Sequence, residues 1–212
     1  MNAPYDRNGA YVSNDAGVVG SPRGFIAHFQ VAASAAVVSD TDGIFDGIVA
    51  PNGAADPAET TITATVESDE FIAQPACTRN VTVTVAATTA GDVSASAIVV
   101  TGTNAAGEAI TESFTPTVNT PATLTGSKAF QSITSVAVPP QDGASVTVDV
   151  GFGAKLGLPY KLTHNTVLAA YLDNAKEGTA PTVAASASAL ESNTITLNSA
   201  LASKVVDAYL IV

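Results

Sequence analysis

The sequence predicts an all-β protein: an antiparallel β-sandwich, a jelly-roll-like domain or a β-barrel, preceded by an extended N-terminal arm. Three observations carry this expectation. The hydrophobic share of 46% is mostly Ala and Val, while aromatics supply 6% and Trp is absent. Small and β-branched residues suit thin pleated layers. From Glu59 to Val150 the chain reads as successive runs with alternating character, each roughly six to ten residues long and bounded by turn formers, the spacing of a sandwich or barrel. Sixteen Gly and 11 Pro accompany few strong helix formers, which favours tight turns over helices. With 212 residues the chain can bury roughly 70% of its unfolded surface, enough for a real core.

Residues 1–22 are rich in Gly, Asn, Ser and Asp and keep no sustained period, which reads as an extended arm rather than a packed element. Tyr5, Arg7, Tyr11 and Arg23 are candidate interface anchors, because Tyr and Arg are enriched at interface hot spots. A solvated tail is the alternative for these four. Residues 23–212 form the β-sandwich domain, with a division into two β subdomains near 90–97 as an option.

The stretch GFIAHFQVAASAAVVSDTDGIFDGIVA carries Phe25, Ile26, Phe29, Val31, Ile44, Phe45, Ile48 and Val49. It predicts two or three strands, with turns at SDTDG and APNGAADP. TTITATVE alternates through Ile62, Ala64 and Val66, and NVTVTVAA through Val81, Val83 and Val85. SASAIVVTGT, GEAITESFTPT, KAFQSITSVAVP and ASVTVDVGFG follow as further strands. Their Val and Ile face the core, and Thr and Ser face water or a partner. Between the first two of these runs, Asn104 and Gly107 tolerate positive φ, so the loop reverses the chain into a hairpin. Asp142-Gly143 reads as another hairpin turn.

After Gly153, HNTVLAAYLDNAK offers helical spacing at Val167, Leu168, Tyr171 and Leu172. A strand over TVLAAYLDN is preferred, since Thr166, Val167 and Tyr171 suit one and Gly-Thr-Ala-Pro follows as a hairpin exit. The chain closes with strands at 194–197 and 205–212, and the terminal LIV implies a paired or covered end.

Eight Lys and Arg against 19 Asp and Glu give a formal charge of −11. The few cations, Arg79 among them, are scattered singly, so there is no basic face for nucleic acid or for an anionic membrane surface. No apolar run approaches the ~20 residues that span a bilayer. The opening MNAPYDRNGAYVSNDAG lacks the features of a secretory or transit signal, so synthesis in a cytoplasm is expected. Cys77 is the single cysteine and reads as a buried inert thiol.

Catalytic signatures are missing: there is no nucleophile elbow, phosphate loop, HExxH or paired-Cys zinc spacing. His28 and His164 read as structural or surface residues. The acidic step Asp40-Thr41-Asp42-Gly43-Ile44-Phe45-Asp46 places oxygen ligands at alternate positions before a Gly, as calcium loops do. The closing Glu is lacking, however, because position 51 is Pro. Asp40, Asp42 and Asp46 are therefore a weak calcium candidate, and an Asx-type turn is the ordinary reading. No other cofactor is expected.

IVVTGTNAAGEAITESFTPT, continuing through GSKAFQSITSVAVPPQDGASVTVDVGFGAKLGLPYKL and ending in KVVDAYLIV, resembles structural proteins of tailed-bacteriophage virions, particularly head decoration or cement proteins. The resemblance covers about Ile98 to Leu162 plus the C-terminal strand. It implies a non-enzymatic β-rich subunit, a homotrimer, which binds the major capsid protein on the outer surface of the phage head and stabilises the capsid. A tail or neck component and a receptor- or glycan-binding β-module are the competing readings. A glycosidase on a β-scaffold would need two carboxylates facing one cleft.

Overall fold

The computed structural model describes residues 24–65 and 68–212. The arm at 1–22, the four anchors Tyr5, Arg7, Tyr11 and Arg23, and Val66 of the third strand run lie outside the described residues. Fourteen strands make up almost all the regular structure there, and every pair of strands is antiparallel. They are β1 Ile26–Val31, β2 Asp40–Val49, β3 Thr60–Thr63, β4 Arg79–Ala87, β5 Ile98–Thr103, β6 Ala109–Phe114 and β7 Ala122–Phe130. Then come β8 Ser132–Val138, β9 Val146–Gly157, β10 Val167–Leu172, β11 Ala175–Lys176, β12 Thr182–Ala184, β13 Thr194–Thr196 and β14 Val206–Ile211.

Three sheets result, in the orders β3-β8-β5-β6, β12-β13-β9-β4-β7 with β2 also on β9, and β1-β14-β10-β11. The first two face each other across a Val- and Ile-rich core that includes Ile44, Phe45, Ile48, Val81, Val83, Val85, Val100, Val136, Val148 and Val150. The alternation seen in NVTVTVAA is the cause, because residues two apart share a face of a pleated strand. A second core joins the third sheet to β13 and the end of β9 through Leu156, Leu158, Ile195, Val206, Ala208 and Leu210.

Strand β9 serves both cores. One edge pairs with β4 along nearly its full length. The other edge takes β2 between Thr147 and Phe152 and then β13 at Leu156 and Gly157. The division near 90–97 does not match this partition, since Val85, Val93 and Ile98 lie in one core. The change of core falls instead between Val150 and Leu156 of β9.

Several turns differ from expectation. SDTDG is not a turn, because Asp40 to Gly43 already belong to β2. The reversal comes earlier, where Ala35 and Ala36 donate to the Ala32 carbonyl. In the 104–108 loop only Gly107 takes positive φ, at 78°. Buried Asn104 works through its side chain, whose Oδ1 accepts from the Ala106 and Glu108 amides at 2.9 and 3.1 Å. Asp142-Gly143 makes no hairpin, since β8 and β9 belong to different sheets, and the segment crosses between them with the Asp142 amide bonded to Asp92 O. The preferred strand at 166–174 is present as β10. Its exit is a two-residue turn at Asp173-Asn174 with φ of 53° and 63°, a geometry that Asn and Asp tolerate, rather than Gly-Thr-Ala-Pro.

Candidate functional site

The third sheet presents one face to the second core and leaves the other uncovered among the described residues. Ala27, Phe29 and Val31 of β1 stand across from Leu210, Ala208 and Val206 of β14 and pack inward. The alternate residues Ile26, His28 and Gln30 therefore share the outer face with Ile211, Tyr209 and Asp207. Its apolar end holds Ile26, 69% exposed, beside Ile211, and the next pair, Phe25 and Val212, is exposed at the margin of the sheet.

The polar end is tied together across strands. His28 Nε2 lies 2.7 Å from Asp207 Oδ1, and Gln30 Nε2 donates to the same oxygen at 2.8 Å. The His28 ring stacks on Tyr209 at 4.8 Å between centroids, and Tyr171 meets Tyr209 edge-on at 6.0 Å. Tyr209 is therefore engaged with neighbours on both sides. Cross-strand pairs of this kind stabilise a sheet by about 0.2–1 kcal/mol each.

The acidic residues of the calcium candidate all sit exposed on β2. The Asp42 amide is 3.5 Å from Asp40 Oδ1, and the Asp42 carboxyl is raised, first by its hydrogen bond with Asp40 and then by repulsion from that charge. Among the described residues no three His, Cys, Asp or Glu side chains converge, so the structure does not gather Asp40, Asp42 and Asp46 into a ligand set. In physical terms, an extended strand spaces even same-face side chains along its length, whereas a calcium loop needs a curled backbone that converges them on one point. Chelation with EDTA should leave the melting temperature unchanged, and a clear drop would restore the calcium assignment.

Cys77 is half-buried, its Sγ 3.5 Å from Ala35 O. Burial pushes the thiol up, and nearby Arg79 pulls the other way. The sulfur helps line a groove of about 390 Å³ against β1. His164 is exposed, with Nδ1 2.9 Å from Thr163 Oγ1.

Sequence reasoning did not find the edge of β1. Phe25 and Val212 exchange both backbone hydrogen bonds at 2.9 Å. By antiparallel alternation Ala27, Phe29 and Val31 then bond to β14, so Ile26, His28 and Gln30 aim their N–H and C=O groups away from the sheet. The run IAHFQV lacks the Lys or Pro that commonly blunt an edge, which is the one signal the sequence held.

Comparison with protein-family models, curated proteins and solved structures finds no match to this chain.

Proposed function

We propose that the chain is a non-enzymatic structural protein of a tailed-bacteriophage virion, a decoration or cement protein that binds the outside of the capsid lattice. The observation that carries the reading is the exposed apolar end of the third sheet, where Ile26 and Ile211 share the outer face and Phe25 and Val212 are exposed at its margin. Contiguous apolar patches mark surfaces meant to be covered. A subunit covering this patch against the major capsid protein, or against copies of itself in a homotrimer, stabilises the assembled shell by mass action.

A tail or neck position draws on the same surface. A glycan-binding role draws less support, because saccharide sites want an open aromatic face and Tyr209 is flanked by His28 and Tyr171. Immunogold labelling of density-banded particles with an antibody to this chain separates the readings. Even label over heads is the expected result. Label confined to tails or fibres, or missing from particles, would overturn the decoration role.

A further inference from the structure

We infer that the edge of β1 left unpaired among the described residues is a strand-docking site whose occupant is the segment 1–23 of a second copy of this chain. This rests on the assembly reading and names the contact between copies. The groove beside the edge holds about 390 Å³ and is lined on one side by the consecutive residues 29–32, with Thr78, Gln131 and Pro159 opposite. Consecutive rather than alternate residues can line it only if the strand presents its backbone edge, because side chains of neighbouring residues point to opposite faces. The groove thus offers the outward amide and carbonyl of Gln30, and those of His28 continue the same edge beyond it. A groove along an outward-facing backbone edge suits one extended segment, the arrangement by which peptides add a strand to a sheet edge.

Charge selects the occupant. In residues 1–23, Asp6 and Asp15 are balanced by Arg7 and Arg23, so the formal charge of −11 resides in the rest of the chain. Contact between two such bodies sets like charges against each other, whereas a neutral segment meets an acidic body without that repulsion. The length also suffices: 23 residues can reach up to about 75 Å when extended, far beyond the 390 Å³ groove. Gly17, Val18, Val19 and Gly20 supply a run of small and β-branched side chains that suits an added strand.

The test uses the full chain. Hydrogen exchange and sedimentation velocity are run together across a hundredfold range of concentration. The amides of Ile26, His28 and Gln30 should gain protection in step with self-association, and an added synthetic peptide of residues 1–23 should dissociate the oligomer while keeping those amides protected. Gln30→Pro removes an N–H that points away from β14, so the sheet should survive while self-association weakens at least tenfold. Unprotected amides at every concentration would overturn the inference. So would protection that ignores concentration, which would mean that the chain's own segment fills the groove, or association indifferent to the peptide. Should Gln30→Pro fail to fold, the exchange and peptide arms still decide. Particles labelled on their heads by a chain with an open β1 edge would sink this inference alone; self-association through the edge without particle labelling would sink the decoration role alone.

Discussion

Replacing Arg79 with Ala should cost the fold about 4 kcal/mol, read as a lower denaturant midpoint in a urea titration. Arg79 is completely buried. Its Nε and Nη2 donate to Gly153 O and its Nη1 to Val37 O at 3.1 Å. The guanidinium lies over the Phe152 ring, 4.5 Å from the centroid. Among the described residues no carboxylate pairs with it, so carbonyl dipoles and an aromatic face hold the charge. Burial lowers the guanidinium pKa, its first cause, opposed by the neighbouring Cys77. Truncation leaves two carbonyls without their donors, at about 1–3 kcal/mol for each that stays dry, and opens a cavity where the stem lay. Arg79→Met should fall between wild type and Ala, since it restores the volume and removes the desolvated charge but does not restore the three hydrogen bonds. A loss below about 1 kcal/mol for the Ala variant would show that water takes over the carbonyls.

The placement of Arg79 explains why the effect should be large. Val37 belongs to the link between β1 in the second core and β2 in the first, and Gly153 lies on β9 between Val150 and Leu156. One side chain therefore pins the chain where both cores meet. In the sequence Arg79 is one of eight scattered cations, and nothing in TRNVTVTV separates it from an exposed residue. Burial of a polar side chain depends on segments brought in at Val37 and Gly153, and no local pattern carries that. What the sequence does carry is period: the alternate residues of NVTVTVAA and ASVTVDVGFG locate the first core, because pleating alone decides which side chains share a face. It fails where partner strands decide. SDTDG has turn composition yet pairs with β9 from Asp40, and the Asp142-Gly143 crossing depends on which sheet receives β9. The candidate site was less legible still. IAHFQV can be read as a strand, but whether a strand is central or at an edge is a property of sheet order.

Gly151→Ala should be the most costly single methyl added to this protein, at about 3 kcal/mol, near the top of the usual range for overpacking. A Cβ at Gly151 would fall well inside 3.0 Å of the Asp40 carbonyl oxygen and of the Thr41 backbone. Neither is the tip of a flexible side chain. To make room, the start of β2 must leave β9, where Asp40 stands opposite Phe152. That shift pulls on Ile44 and Phe45, both fully buried in the first core. The control is Gly91→Ala, whose new methyl would meet nothing within 4 Å. There the change should stay within about 0.5 kcal/mol, or stabilise slightly by restricting the unfolded chain. Urea titrations of the two variants, carried out side by side, test the contrast with the same chemical change in both. If they match, the Asp40-Thr41 segment yields freely and β9 does not fix the position of β2. If Gly151→Ala alone is destabilised, the glycine is required because a backbone strand distant in sequence crosses within contact distance of it, which is also how β9 comes to serve two cores with one continuous run of residues.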